Sequence, residues 1–284
     1  MALIMVLWII AALTLLSASL AVFLKAEVRT GQQAAESARM SALADGVLTI
    51  LAAEQMVAEE KGYRRISRVG RLEGVAYWVE WTPVAGLVDL NMASRELLAA
   101  MLAGMGGLEP AQAVALAGRI VAWRSRPGDR AEASRLRRHF QDLGARQRPS
   151  FEPFQHVVEL RLVPGVGSGL YERLRRYVTV ESGTPSVNAE LAPSGLVAGV
   201  NRGWTAVSPA FAGETDPELF AGGSAGQQFQ LVVQLGEAPY WERVYRVELR
   251  PEERAGNLYP WRIRAAEPIR RVQNRSGQGE WVDR

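Results

Sequence analysis

The N-terminal end of this chain constrains its fold more than any other part of the sequence. Residues 1–24 carry no charged side chain, and Lys25 ends the run. As an α-helix they would extend about 36 Å, enough to cross a hydrocarbon core of about 30 Å. A cleaved secretory signal would begin with basic residues and have a shorter apolar stretch. The segment therefore predicts one transmembrane helix, and cleavage at the small residues 17–21 is the alternative.

The helical pattern continues beyond this segment. Residues 26–60 contain no proline, and apolar residues recur there at helical spacing among charged ones. We expect one helix that spans the membrane with residues 1–24 and docks residues 25–60 on a folded domain. Because Lys25 and Arg29 follow the span, the positive-inside rule alone would place that end in the cytoplasm. A short basic leader ahead of Met1, removed in processing, would reverse the orientation.

Beyond the helix, the pattern changes from strands to helices and back. Residues 61–91 contain an alternating strand at 75–81 and a short strand at 86–90. Residues 92–177 predict a series of helices joined by loops, the first capped by Ser94 and a later one beginning at Phe154. Residues 178–284 return to strands after an irregular stretch at 183–226 that has room for one helix. A hairpin of residues 228–235 and 243–249, a strand at 261–265 and a loose tail from Arg270 complete the prediction.

This order of elements predicts an α+β fold. A long N-terminal helix packs on an antiparallel sheet, and an all-helical domain is inserted between the early and the late strands.

Composition excludes several classes of site. The chain has no cysteine, which rules out disulfides, thiolate catalysis and cysteine-based zinc sites. His139 and His156 are its two histidines, so a histidine metal site or a serine triad has little material. Asp129 and Glu132 are the only calcium candidates, and neighbouring arginines crowd them. With no catalytic constellation in the sequence, we expect neither an enzyme nor a cofactor.

A glycine-rich segment allows two interpretations. Residues 165–169 lack the spacing of a Rossmann fingerprint or a P-loop, so they do not predict a phosphate site. Residues 162–167, followed by Arg173, Arg175 and Arg176, are similar to the hairpin of helix-hairpin-helix DNA-binding modules. Such hairpins also serve as plain packing units. A membrane-tethered DNA-binding protein of a competence-like system therefore stays open as the alternative, although a nucleic-acid partner is not our expectation.

Four segments together resemble the K-type minor pseudopilins of type II secretion systems. Residues 1–8 look like the start of a mature member, and residues 86–94 like the entry into the family's inserted helical domain. Residues 158–171 and 177–180 resemble the exit from that domain, which is of the helix-hairpin-helix or SAM-like kind. The resemblance spans most of the chain, and the order of the segments makes it more specific than any one of them.

The resemblance implies a role in assembly rather than catalysis. A K-type subunit starts or caps the pseudopilus at its tip, with its helix in the inner membrane and its globular part in the periplasm. The implied partners are the I- and J-type minor pseudopilins, with the H-type as a further candidate, the major pseudopilin, the prepilin peptidase and the inner-membrane assembly platform. Met1 is the implied site of cleavage and N-methylation. Met5 takes the place of the glutamate of major pseudopilins, so this subunit needs no neighbour ahead of it.

The sequence departs from the family in its calcium segment. That acid-rich segment would fall at residues 123–133, where this chain has three arginines beside Asp129 and Glu132. We therefore expect no calcium there.

Overall fold

A computed structural model of the chain describes residues 2–57, 63–145, 147–193, 195–208, 216–221, 223, 226–250 and 260–273. Met1, the predicted helix end at residues 58–60 and most of the predicted tail lie outside these residues. The elements in chain order are α1 (Ala2–Val57), β1 (Ile66–Leu72), β2 (Val75–Pro83), β3 (Val88–Asp89), α2 (Arg95–Gly104), α3 (Pro110–Arg124), α4 (Arg130–Asp142), α5 (Ser168–Leu174), β4 (Val178–Thr179), α6 (Leu196–Val207), β5 (Gln228–Leu235), β6 (Tyr240–Leu249), β7 (Trp261–Ala266) and β8 (Arg270–Val272). Short 3₁₀ helices lie at Val84–Gly86, Val157–Leu162 and Pro217–Phe220.

The six longer strands form one antiparallel sheet in the order β1-β2-β5-β6-β7, with β8 also paired to β6. The predicted mixed fold, a long helix on an antiparallel sheet, is confirmed. Strand β1 was not predicted; it joins β2 through Glu73 and Gly74, whose φ values of 48° and 79° suit the two-residue turn of a tight hairpin. The prediction of a loose tail from Arg270 was wrong at its start, because residues 270–272 pair with Tyr240–Glu242.

The C-terminal part of α1 covers one face of this sheet. Its buried residues recur every three or four positions, which makes one continuous apolar stripe. The stripe packs on inward-facing residues of β2, β5 and β6, including Trp81, Phe229 and Tyr245. This cluster includes Leu43, Ala44, Val47, Leu48, Leu51, Ala52 and Met56 of the helix.

Helices α2 to α6 form a second unit. Along the chain, this unit is inserted between two strands that pair directly with each other. Pro83 at the end of β2 pairs with Phe229 of β5, although residues 84–227 separate the two strands. Those residues hold α2 to α6 and the parallel pair β3–β4 around one core. The predicted strand at 86–90 is reduced to Val88–Asp89, after a 3₁₀ turn. The predicted helix from Phe154 is a 3₁₀ helix at Val157–Leu162.

Helix α6 extends the helical core beyond residue 177, the end of the unit predicted from sequence. Its residues Leu196, Val200 and Trp204 join the same cluster as α2 and α3. The contact between α2 and α6 is close because glycines face backbone: a Cβ on Gly104 would overlap the Gly199 carbonyl, and one on Gly203 would overlap that of Ala100. The small residues therefore set the distance between these two helices.

Candidate functional site

Helix α1 presents an apolar surface that nothing in the described chain covers. Every side chain from Ile4 to Ser17 is exposed, among them Met5 at 71% and Trp8 at 70%. Monomeric soluble proteins rarely expose such a continuous apolar surface, so it needs lipid or other helices around it. By length and composition alone, Glu27–Val57 is the described stretch that passes for a membrane span. Since its buried stripe packs on the sheet, the lipid-facing part is the uncharged segment before it.

Polar contacts fix where α1 leaves the sheet. The hydroxyl of Tyr245 donates to Asp45 Oδ1 at 2.7 Å, and Arg243 pairs with the same carboxylate at 3.2 Å. Burial, together with the hydrogen bond to Asp45, raises the pKa of Tyr245. About two and a half turns earlier in the helix, Glu36 accepts from Arg271 at 2.9 Å. The helix is therefore held rigidly from about residue 36 onward, and its N-terminal half projects from the domain.

A charged joint connects the helical unit to the other face of the sheet. This joint consists of six charged residues, namely Glu172, Arg175, Arg176, Glu242, Glu267 and Arg270. Glu242 on β6 accepts from both Arg175 and Arg176, and the side chains of Arg175 and Glu242 are each only 1% exposed. Arg175 also pairs with Glu267 at 2.6 Å and Glu172 at 3.0 Å. Arg270 closes the network, with a bond to Glu172 at 2.7 Å.

The joint keeps its central carboxylate ionised. Burial alone would raise the pKa of Glu242, but the guanidinium groups of Arg176 and Arg175 lower it below its usual value. Gln234 adds a hydrogen bond to the same carboxylate at 2.8 Å, and Gln230 donates to the Arg176 carbonyl at 2.6 Å. A buried pair of this kind fixes one orientation of two units rather than adding much stability.

The two calcium candidates are used as helix caps. Asp129 is the N-cap of α4, where its Oδ1 accepts from the Glu132 amide at 2.7 Å. Glu132 accepts in turn from the Gly128 amide at 2.7 Å. Among the described residues no group of three metal-binding side chains comes together. Asp129 and Glu132 thus stabilise the start of α4, and the absence of calcium stays a prediction.

The three arginines proposed for DNA binding all have partners within the protein. Arg175 and Arg176 lie in the joint, and Arg173 donates to the Gly106 carbonyl at 2.8 and 3.1 Å, which connects α5 to the end of α2. Of the two interpretations of the hairpin at residues 162–167, the structure therefore favours a packing unit. The alternative of a membrane-tethered DNA-binding protein is not supported.

Sequence reasoning missed the joint and the contact of Asp45 with β6. A signal existed in β6, where Glu242 and Arg246 stand at alternate positions that face a buried surface. Charged residues at such positions predict a polar partner on that face. The acceptor of Arg175 could not be named, because Glu242 lies 67 residues further along the chain.

Comparison with known proteins agrees with the resemblance seen in the sequence. Residues 85–183 match the family model of the type II secretion system protein K. A chain of the crystal structure of the GspK-GspI-GspJ complex from the enterotoxigenic Escherichia coli type 2 secretion system has a similar fold, with a TM-score of 0.53 at 14% identity, over 88% of this chain and 100% of that one. No curated protein matches the sequence. The match to the family model thus falls within the helical unit inserted between β2 and β5.

Proposed function

We propose that this chain is the K-type minor pseudopilin of a type II secretion system, a membrane-anchored structural subunit that assembles with I- and J-type minor pseudopilins. The observation that carries the proposal is the position of the segment that matches the protein K family model, residues 85–183. This segment is inserted into a sheet that packs on the second half of a long helix, while the first half of that helix is apolar and exposed.

This arrangement suits a subunit that leaves a membrane and joins a helical bundle. The exposed stretch Ile4–Ser17 can exchange lipid for the helices of neighbours without loss of apolar burial. The globular part, held to the helix by Asp45 and Glu36, would then lie in the periplasm on top of the fibre. Met5 brings no carboxylate into that bundle, which allows the subunit to stand first.

The bulk of the helical unit would block further subunits above it, and the fold offers a clean way to remove it. Because Pro83 and Phe229 are paired neighbours, residues 84–227 can be replaced by a short glycine-containing turn that rejoins β2 and β5. The sheet face that this exposes is partly polar, with Gln230, Gln234 and Glu242 on it. We expect the shortened chain to insert in the membrane but to give altered fibre length or lost secretion. Unchanged secretion and fibre length would contradict a capping role for the unit.

Partner identity can be tested on the exposed half of α1. A photo-crosslinking amino acid at Leu13 or Leu16 of the full chain, coexpressed with I- and J-type pseudopilins, should give adducts with one of them. The matched control is the same probe at Glu190, which is exposed on the helical unit. Adducts to lipid or to the chain itself, with none to either partner, would overturn the assignment.

A further inference from the structure

A cleft of about 410 Å³ lies beside the joint, between the helical unit and the sheet. The 3₁₀ helix Val157–Leu162 and α5 form one wall, and β6 with the end of β7 forms the other. Clefts of a few hundred cubic ångströms at the contact of two units are where ligands most often bind. Its apolar lining comes from Val157, Val158, Val244, Ala265, Ala266 and Pro268.

Arg246 lines this cleft and places there a positive charge that has no direct ion pair. Its guanidinium donates to Thr179 Oγ1 at 3.1 Å and to the Val178 carbonyl at 3.3 Å, both neutral acceptors. No carboxylate of the described residues lies within ion-pair distance of it. Burial lowers the pKa of Arg246, and the more distant charges of Glu181 and Glu267 offset part of that effect. A half-buried cation with spare N–H donors is a group that an incoming anion would stabilise.

Arg161 adds a second such charge at the rim. Its guanidinium carbon lies 5.6 Å from the centre of the Tyr171 ring, and it too has no ion pair within the described chain. Two acids also line the cleft, but both are already paired: Glu267 with Arg175, and Glu172 with Arg175 and Arg270. The free charge of the cleft is therefore positive.

We propose that this cleft binds a carboxylate carried by an acidic peptide segment of a partner protein, with an apolar side chain next to it against the valines. A carboxylate matches the positive charge of Arg246 and Arg161. The volume holds one or two residues of a peptide, and the apolar lining favours a side chain over a free ion. The proposed function assigns no role to this cleft, so the inference goes beyond it.

The test uses the full chain in detergent micelles and coumarin-labelled acetylated tetrapeptides, each pairing one aspartate or glutamate with one apolar residue. Every peptide is measured beside its asparagine or glutamine counterpart by fluorescence anisotropy. We expect at least one acidic peptide to bind about tenfold more tightly than its amide counterpart, since a charged hydrogen-bond pair is lost in the latter.

Variants separate the site from general charge. Arg246→Met and Arg161→Met should each weaken that peptide about tenfold, and Arg246→Lys should weaken it less than Arg246→Met. Arg262→Met, an exposed arginine on β7 outside the cleft, should leave binding unchanged. If Arg246→Met fails to fold, Arg161→Met still tests the proposal, because Arg161 lies at the rim of the cleft. Equal binding of acidic and amide peptides, no acidic peptide bound at about 1 mM, or tighter binding of a phosphopeptide or of DNA would each overturn the proposal.

Discussion

Replacing Glu242 by glutamine should weaken the joint, because both Arg175 and Arg176 contact this carboxylate. The substitution keeps the shape of the side chain and its ability to accept a hydrogen bond, but it removes the charge that faces Arg175 and Arg176. Arg175 keeps Glu172 and Glu267. Arg176 keeps no carboxylate within ion-pair distance among the described residues. One buried cation thus becomes uncompensated.

The expected magnitude follows from that count. Removal of one partner of a buried ion pair costs about 3–5 kcal/mol of unfolding free energy. Because only one of the two arginines is orphaned and glutamine can still accept a bond, we expect the lower end, about 3 kcal/mol. The matched control is Glu248→Gln, on the same strand, whose carboxylate is 22% exposed and pairs with Arg264 at 3.2 Å. That change should cost about 0–1 kcal/mol.

The measurement is urea unfolding of the full chain in micelles, followed by tryptophan fluorescence, with hydrogen exchange of the α5 and β6 amides to locate the loss. A combined variant, Glu242→Leu with Arg175→Met and Arg176→Leu, should recover most of the stability, because no charge is left buried. If Glu242→Gln and Glu248→Gln unfold with the same free energy, the joint does not hold the two units together.

The joint also has a pH dependence with a definite sign. The pKa of Glu242 is lower in the folded chain than the value of about 4.3 for a free glutamate. Its contribution is therefore fully present above about pH 4.3 and is lost as pH falls through the folded pKa. The difference in stability between the native chain and Glu242→Gln should shrink in that acidic range, and a constant difference would contradict the assigned charge.

Three further changes test other parts of the fold. Gly203→Ala should cost at least about 1–3 kcal/mol because its Cβ overlaps the Ala100 carbonyl and forces α6 from α2; normal urea stability would refute that close contact. Leu51→Ala should cost about 2–5 kcal/mol and raise hydrogen exchange in the docked half of α1, since Leu51 is fully buried against the sheet. Asp129→Ala should cost about 1 kcal/mol through loss of an N-cap, and added calcium should not change the melting temperature of either form; a calcium-dependent rise in the native chain alone would show a metal role.

Local patterns in the sequence were enough for most of the elements. The helix start after Ser94 follows from a side chain that caps within three residues, and the structure has this cap. The hairpin of β5 and β6 and the strand at 261 follow from alternation and turn residues. The resemblance to the protein K family was also carried by short segments, and three of them, residues 86–94, 158–171 and 177–180, lie within the matched residues 85–183.

Long-range contacts explain what sequence reasoning could not supply. Helix α6 lies in a glycine-, proline- and serine-rich stretch, and its glycines look like breakers until α2 is placed against them. Strand β8 begins where the sequence turns polar, and only the free edge of β6 makes it a strand. The position of Arg246 in the cleft, without a direct ion pair, becomes visible only when the walls of the cleft are brought together.

The central claim is that the chain is a processed pseudopilin subunit, and the intact mass and N-terminal sequence of the protein from native membranes test it most directly. In membranes that lack the prepilin peptidase, we expect a longer precursor. In membranes that contain the enzyme, we expect an N-methylated Met1 as the first residue. An unmodified N-terminus that is the same in both cases, or cleavage within residues 17–21, would contradict the account.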